Sequence, residues 1–351
     1  MRQRDHGGIE GLRVERLHPL EVRHAVVKVV RPGRRIDGSG KRDRLGLRER
    51  VQRRGPLAAD QAVTDDGDTE RAHGWTVASP PVTGRVLVTG GSMGIGRACA
   101  ERLAGDGWQV IVCARDRAAV DEAVAALPGD GHEGLALDVS RHAEWERAAD
   151  SLEPLAGLVH AAAVIGPVGP LEAIDPGEFE EVQRINVVGT FLALRHCAPR
   201  LAAAGGRAVV FSGGGATGPL ERFDAYAASK AATVRLIENV ALQGVPVNAV
   251  APGFVATRMH DVTVAAGPEA VGQAYYERTM AGLEGNSTPP EVAAELVAFL
   301  LSGEADGIAG KLISAPWDPW REPEFQQRLR TEPDLATVRR IDDQFFTRAD
   351  R

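Results

Sequence analysis

Two side chains that could exchange a proton lie four positions apart in the segment Tyr226-Ala-Ala-Ser-Lys230. The segment is rich in alanine and predicts a helix, on which positions i and i+4 share one face. A phenol has a reference pKa of about 10, and a neighbouring ammonium favours the phenolate and lowers that pKa. We therefore expect Tyr226 to act as a general acid or base near neutral pH, with Lys230 lowering its pKa. Taken alone, the same spacing also occurs on solvated helix faces.

A glycine-rich segment that begins at Thr89, with the sequence TGGSMGIG, joins a predicted strand to a predicted helix. Glycines permit a tight turn and let the backbone approach a pyrophosphate. The free N–H groups and the positive dipole end of the following helix also favour an anion. The placement predicts a dinucleotide-binding turn, and a purely structural βα turn is the alternative. The predicted cofactor contacts here are Gly90, Ser92, Met93, Gly94, Ile95 and Gly96.

An arginine at the end of the second predicted strand bears on the choice of cofactor. Arg115 lies about 20 residues beyond the glycines, where dinucleotide folds meet the adenosine ribose. An acidic residue there would bind the ribose hydroxyls of NAD, whereas a guanidinium matches the 2′-phosphate of NADP. Arg115 therefore favours NADP(H) over NAD(H). In the alternative interpretation, Arg115 is a solvated residue and Asp116 binds the ribose.

Strand and helix patterns alternate from residue 84 onward, and these elements must position the groups described above. Helices are predicted over 116–127, 141–153, 178–203 and 225–243, besides the one that follows the glycine turn. Such alternation implies βαβ crossovers, and continuous apolar strands are typical of a parallel sheet covered on both faces. The sequence predicts an α/β fold of the Rossmann type, a doubly wound parallel β-sheet flanked by helices. The seven predicted strands are RVLVTG, WQVIVCAR, GLALDVS, LAGLVHAAA, RAVVFS, VPVNAVAPG and GKLISA.

The composition changes near residue 80. Residues 1–76 contain 17 Arg and Lys against 12 Asp and Glu and show no sustained periodicity, whereas the rest of the chain is net acidic. Such a segment cannot bury enough apolar surface to offset its ordering entropy. We expect residues 1–80 to be a disordered basic extension or sequence outside the native protein, with a nucleic-acid-binding arm as the alternative. We expect residues 81–315 to form the dinucleotide-binding domain, and residues 316–351 to pack on the core or at a subunit interface.

Composition and charge argue against several classes of partner. The 351-residue chain has a formal net charge of −7, so we expect no nucleic-acid partner. No apolar run approaches the roughly 20 residues that cross a bilayer, and no signal-peptide pattern is present, so we expect no membrane partner. The three cysteines lack CxxC spacing, which argues against disulfides and against a metal site and indicates a cytoplasmic location.

Together these motifs resemble the classical short-chain dehydrogenase/reductase family over residues 84–315. The glycine turn is similar to that family's TGxxxGxG turn, and Tyr226 with Lys230 matches its catalytic pair, which also contacts the cofactor. The resemblance implies that Asn186, in INVVGT, holds a water in a proton relay. It also implies a sheet of strand order 3-2-1-4-5-6-7 and a homodimer or homotetramer. The further cofactor contacts that it implies are Asp138 and Val139 at the adenine, Ala161 and Ala162 after the fourth strand, and Pro252, Gly253, Val255 and Thr257 at the nicotinamide amide.

Three features depart from the family pattern. The segment after the fourth strand is His160-Ala161-Ala162-Ala163 in place of asparagines, and we expect His160 to be a packed strand-end residue rather than a catalytic one. The catalytic serine of the family would fall at Gly213, and Ser212 lies one residue early. We assign Ser212 as the substrate-orienting residue, with Thr217 or a backbone N–H as the alternative. The chain also continues for 36 residues beyond the last predicted strand.

These observations favour an NADP(H)-dependent oxidoreductase that interconverts a ketone or aldehyde and an alcohol by hydride transfer, with a small-molecule carbonyl or alcohol as its substrate. The resemblance also implies a lid over the substrate formed by residues 258–287, which contain Tyr275, Tyr276 and Arg278. A non-catalytic NADP(H)-binding redox sensor or scaffold is the alternative, suggested by the missing serine and asparagines. A protein that only binds the dinucleotide has no chemical need for the proton relay.

Overall fold

A computed structural model of the chain describes residues 84–152 and 154–339. The prediction for residues 1–80 and the last part of the predicted C-terminal extension therefore lie outside the described residues. Within the described part, no helix is both long enough and apolar enough to span a bilayer.

Seven strands form one parallel sheet in the order β3-β2-β1-β4-β5-β6-β7, which confirms the predicted fold class and strand order. The order reverses between β1 and β4, where Thr89 pairs with His160. Ligands of open α/β sheets bind at such a reversal, outside the carboxyl ends of the strands. The strands are β1 Arg85–Thr89, β2 Gln109–Ala114, β3 Glu133–Ala136, β4 Gly157–His160, β5 Arg207–Phe211, β6 Val247–Ala251 and β7 Leu312–Ser314.

Ten α-helices connect or flank these strands in the described part of the chain. The helix predicted over 178–203 is interrupted by a π-helical segment at Arg184–Val188, which separates α4 from α5. The other predicted helices are present with ends shifted by a few residues. The helices are α1 Gly94–Gly105, α2 Arg117–Ala125, α3 His142–Ala148, α4 Pro176–Gln183, α5 Gly189–Ala204, α6 Asp224–Ala241, α7 Asp261–Val271, α8 Gln273–Leu283, α9 Pro290–Leu301 and α10 Pro323–Thr331.

The core lies on both faces of the sheet, as the continuous apolar strands predict. Along β1, Val86 and Val88 face one hydrophobic cluster, which includes residues of α1 and α9. Leu87 faces the other cluster, which includes residues of α3, α5 and α6. Successive strand residues point to opposite faces, so one strand contributes to both clusters. Each fully buried side chain of this size stabilises the fold by about 1.5–3 kcal/mol, which makes the sheet a rigid support for the loops at its edge.

The free edge of β7 is covered by residues that follow it in the chain. The backbone N–H of Leu312 donates to the Ala336 carbonyl at 2.7 Å, and that of Ser314 donates to Asp318 Oδ2 at 2.7 Å. The buried Lys311 ammonium donates to three carbonyl oxygens between positions 332 and 335, at 2.7–3.0 Å. Unpaired edge groups invite pairing with another chain, so this covering removes a site of aggregation.

Candidate active site

The glycine turn after β1 has a backbone that side chains would obstruct. Gly90 has a φ of +68°, and a Cβ atom there would lie 2.8 Å from the backbone nitrogen of Ala162. A Cβ atom on Gly96 would overlap the carbonyl oxygen of Gly90. The turn therefore needs glycine for both its conformation and its close packing. The packing also brings Ala161 and Ala162 directly against the turn, and their contact with the cofactor stays a prediction.

The N-terminus of α1 fits an anionic phosphate group. The helix begins at Gly94 with no side-chain cap on its N–H groups and no acidic residue in its first turn. Its positive end is therefore uncompensated, which is the condition for binding a pyrophosphate. Gly94 is exposed, and Thr257, which follows β6, lies beside it: a Cβ atom on Gly94 would be 3.3 Å from the Thr257 methyl carbon. The residues present thus fit a dinucleotide across the β1–β4 crevice.

Two neighbouring residues after β2 have different partners. Asp116 is the N-cap of α2, and its carboxylate accepts from the N–H groups of Ala118 and Ala119 at 2.9 and 3.4 Å. Arg115 is exposed and makes no hydrogen bond or ion pair with any described residue. The carboxylate that could have bound a ribose is therefore committed to a helix cap, whereas the guanidinium is free.

Tyr226 lies in the first turn of α6, and the Lys230 ammonium is 5.4 Å from the centre of its ring. Lys230 is buried and donates to the Phe211 carbonyl at the end of β5, at 3.0 Å. Burial lowers the pKa of Lys230 to about 8, so the ammonium stays mostly charged at pH 7. The predicted pairing of these residues on one helical face is present.

The expected lowering of the Tyr226 pKa is wrong for this geometry. Burial, with a smaller contribution from the Tyr275 phenol, raises the pKa of Tyr226 above its usual value. Removing a phenolate from water costs more free energy than its attraction to the ammonium recovers at this distance. The ammonium is also hydrogen-bonded to the Phe211 carbonyl. In this geometry Tyr226 is a protonated phenol, which suits a proton donor.

Asn186 lies in the π-helical segment between α4 and α5 and is 2% exposed. Its side-chain amide donates to the Val164 carbonyl at 2.8 Å and to Ser229 Oγ at 2.9 Å, and its Oδ1 accepts from the Val164 N–H at 2.9 Å. Both amide hydrogens are therefore used. A relay water at Asn186 would have to donate to a remaining lone pair on one of its carbonyl oxygens. The side chain itself ties the segment after β4 to α6.

The comparisons with known proteins agree with this geometry. A family model described as enoyl-(acyl carrier protein) reductase matches residues 90–315. A short-chain dehydrogenase/reductase of Armillaria gallica is 36% identical over 249 residues, which are 66% of this chain and 94% of the relative. The chain belongs to the short-chain dehydrogenase/reductase family.

Two further relatives show what this family does. The (3R)-3-hydroxyacyl-CoA dehydrogenase of Homo sapiens is 33% identical over 248 residues, 65% of this chain and 92% of the relative. The crystal structure of a 3-ketoacyl-ACP reductase from Sinorhizobium meliloti is 30% identical with a TM-score of 0.55, covering 66% of this chain and 97% of that one. This short-chain dehydrogenase/reductase is an oxidoreductase of the alcohol–carbonyl class, in a family that uses NAD(H) or NADP(H).

The structure places the predicted adenine and nicotinamide contacts of this dehydrogenase/reductase around the same crevice edge. Burial alone would raise the pKa of Asp138, but hydrogen bonds from Ser140 and Arg141 lower it. The carboxylate is therefore ionised, and both of its oxygens already accept hydrogen bonds within the protein. Val139 is buried beneath α5. After β6, Pro252 and Val255 are buried, and Gly253 has a φ of +78°. A Cβ atom on Gly253 would meet the Thr288 hydroxyl at 2.7 Å, so the turn depends on glycine.

The structure places Gly213, not Ser212, against the phenol of Tyr226. A Cβ atom on Gly213 would lie 3.1 Å from the Tyr226 hydroxyl oxygen. Ser212 is 3% exposed, and its hydroxyl faces the Lys230 carbonyl at 3.5 Å. One residue of difference along the chain points the two positions in different directions, which argues against the substrate-orienting role predicted for Ser212. The alternative residue Thr217 is exposed.

His160 is buried at the end of β4, as expected, and is 2% exposed. Its Nδ1 lies 2.8 Å from the hydroxyl oxygen of Thr89, the residue before the glycine turn. Burial, and then the Lys230 ammonium, lower the pKa of His160 to about 3, so the ring is neutral. The imidazole thus contacts the residue that precedes the glycine turn and is near enough to the Lys230 ammonium for its charge to lower the pKa of the ring.

An apolar cluster around the phenol was missed by the sequence analysis, because its members come from distant segments. Phe223, Ile165 and Val271 form its buried centre. The side chains that pack against this centre come from the loops after β4 and β5 and from the predicted lid: Val168, Leu220, Tyr226, Met259, Ala266, Ala270, Tyr275 and Tyr276. Residue spacing in the sequence does not predict that these segments meet, although the aromatic residues of the predicted lid are recognisable in the sequence.

Proposed function

We propose that this protein is an NADP(H)-dependent oxidoreductase that interconverts a ketone or aldehyde and an alcohol, with Tyr226 as the proton donor and acceptor. The observation that carries the proposal is the placement of Tyr226 and Lys230 next to the dinucleotide crevice. Lys230 acts electrostatically on His160, which contacts Thr89 immediately before the glycine turn. Neither a purely structural helix face nor a simple binding protein needs a buried ammonium beside a phenol at that point.

The residues of the chain divide the work as follows. When bound, the nicotinamide supplies or accepts the hydride. The Tyr226 hydroxyl, which has no hydrogen-bond partner among the described residues, donates its proton to the carbonyl oxygen during reduction. The Lys230 ammonium stabilises the phenolate that is left, because opposite charges interact strongly in a buried site. The apolar cluster around the phenol excludes water from the proton transfer.

Substitution of Tyr226 tests the activity. With NADPH and a panel of ketones and aldehydes, Tyr226→Phe should lower kcat/KM by about 10²–10⁴-fold, the usual contribution of a general acid. NADPH binding, measured by fluorescence titration, should be retained. If the wild-type protein binds NADPH but turns over no carbonyl, or if Tyr226→Phe has no effect on turnover, the redox sensor or scaffold is favoured. The absence of a hydroxyl at Gly213 is the observation that keeps that second function in view.

The preference for NADP(H) rests on Arg115, whose guanidinium is exposed and has no partner among the described residues, while Asp116 caps α2. Arg115→Ala should lower kcat/KM for NADPH by about 10–100-fold and leave that for NADH nearly unchanged, because a hydrogen bond to a charged group contributes about 1.5–3 kcal/mol. Arg117→Ala is the matched control, since Arg117 carries the same guanidinium but is paired with Asp121. A wild-type enzyme that prefers NADH would refute the assignment.

Three further properties stay predictions. A homodimer or homotetramer is supported by Val188, which precedes α5, and Phe191, in its first turn, which are 43% and 46% exposed. A cytoplasmic location is supported by three buried, free cysteines. The domain limits at residues 80 and 315 are the third: residue 80 lies outside the described residues, and beyond residue 315 the buried Trp320 and Leu329 pack in the core cluster of Val86. Light scattering after size-exclusion chromatography would measure the oligomer.

A further inference from the structure

The reacting oxygen of a carbonyl substrate needs more than one hydrogen-bond donor. It carries two lone pairs, and negative charge develops on it as hydride reaches the neighbouring carbon. Under the proposed function, Tyr226 donates a hydrogen bond to one of these lone pairs. In the loop after β5, positions 213–215 are all glycine, the Ser212 hydroxyl is directed at the Lys230 carbonyl, and Thr217 is exposed. The space beside the Tyr226 hydroxyl, which a Cβ atom on Gly213 would enter at 3.1 Å, holds no hydroxyl from this loop.

A second phenol hydroxyl belongs to the same apolar cluster as Tyr226. In the apolar cluster around Tyr226, every member except the three tyrosines has a hydrocarbon or thioether side chain. Two of those tyrosines, Tyr275 and Tyr276, belong to α8. The Tyr275 hydroxyl has no hydrogen-bond partner among the described residues. It is therefore free to bind a ligand.

A contact with Phe223 places Tyr275 close to the start of α6. Its ring centre lies 4.5 Å from that of Phe223, which is fully buried and immediately precedes α6. Tyr226 follows three residues later, in the first turn of the same helix. The Arg278 guanidinium packs over the Tyr275 ring, 5.4 Å from its centre. An aromatic pair and a cation–π contact thus both restrict the position of the ring.

The two phenols also interact electrostatically. After burial, the Tyr275 phenol is the second cause that raises the pKa of Tyr226. Tyr276, the next residue, points about 100° away around the helix. It makes no ring contact with Phe223 within the described part of the chain. Tyr275 and Tyr276 are therefore chemically identical neighbours with different access to the phenol of Tyr226.

We propose that Tyr275 donates the second hydrogen bond to the reacting oxygen of the substrate, in place of a side-chain hydroxyl after β5. The proposal rests on the carbonyl–alcohol activity proposed above. In the reduction, hydride from the nicotinamide bonds to the carbonyl carbon, the C–O π electrons move to oxygen, and that oxygen takes the proton of Tyr226. Tyr275 keeps its proton throughout and only donates a hydrogen bond. Because the donor lies on the lid rather than on the sheet, the lid must cover the substrate before the site is complete.

Phenylalanine substitutions test the proposal in the full chain. Tyr275→Phe should lower kcat/KM for carbonyl reduction by about 10²-fold, mainly through kcat, because an oxyanion donor acts in the transition state. Tyr276→Phe is the matched control and should stay within threefold of the wild type. NADPH affinity and the thermal unfolding midpoint should be unchanged in both variants.

Rescue by a hydroxyl at another position distinguishes a hydrogen-bonding role of Tyr275 from a packing role, because a packing defect would not be restored by it. Gly213→Ser places a hydroxyl beside Tyr226, and in the Tyr275→Phe background it should restore kcat at least fivefold. The proposal is overturned if Tyr275→Phe retains wild-type kcat, if Tyr276→Phe loses as much, or if Gly213→Ser restores nothing. If these failures occur in an enzyme that Tyr226→Phe inactivates, the proposed function stands without this donor. If the wild-type protein reduces no carbonyl, both proposals fail together.

Discussion

His160 should make the folded state sensitive to acid in a way that one substitution can isolate. Burial lowers its pKa in the folded chain to about 3 from an ordinary value of 6.5. Between these two values the unfolded chain takes up a proton that the folded chain does not. Stability contributed by the neutral ring is therefore fully present above pH 6.5 and is lost as the pH falls below that value.

The size of the effect follows from the two pKa values. One pKa unit corresponds to about 1.4 kcal/mol, so lowering the pH from 7 to 5 should cost the wild-type protein about 2 kcal/mol through this residue alone. The ring is almost fully buried, and its Nε2 has no hydrogen-bond partner in the described part of the chain, so solvent does not screen the penalty.

Urea unfolding at pH 7 and pH 5, followed by tryptophan fluorescence, measures this difference. Trp145 is fully buried and Trp108 nearly so, and both should report unfolding. Between the two pH values His160→Asn should lose about 2 kcal/mol less than the wild type, because carboxylates and the other histidines contribute equally to both proteins. His142→Asn, at a side chain that is 47% exposed, is the control and should keep the wild-type pH dependence. Equal losses in the wild type and His160→Asn would refute the assignment of a buried, neutral imidazole.

Two further substitutions probe the turn and the edge of the sheet. Gly96→Ala should abolish NADPH binding in a fluorescence titration, because its Cβ atom would overlap the Gly90 carbonyl. Gly105→Ala is the control, because a Cβ atom there has nothing within 4 Å. This variant should bind NADPH normally and gain up to about 1 kcal/mol of stability. Lys311→Met should destabilise the fold by about 2 kcal/mol in urea, because three carbonyl oxygens lose their shared donor. Unchanged binding in Gly96→Ala, or unchanged unfolding in Lys311→Met, would contradict these accounts.

Local sequence patterns predicted much of the fold and of the candidate site. Glycines between a strand and a helix predict the phosphate turn, because both its conformation and its close approach to Ala162 exclude side chains. Four-residue spacing predicts that Tyr226 and Lys230 share a helical face, because the helix repeat alone decides it. Alternation of strands and helices predicts the parallel sheet, since helices must cover both of its faces. Each of these properties depends on residues close together in the chain.

The tertiary structure decided the properties that depend on what packs around each group. Burial reverses the expected direction of the Tyr226 pKa shift, and the surroundings of a residue cannot be read from its neighbours in the chain. The direction in which β5 ends gives Gly213, rather than Ser212, the position beside the phenol. Tyr275 reaches the same phenol across about 50 residues of sequence only because the lid folds back onto Phe223. The sequence thus determined which side chains can take part in proton transfer. Long-range packing determined their protonation states and their neighbours, because solvation and proximity depend on the whole fold.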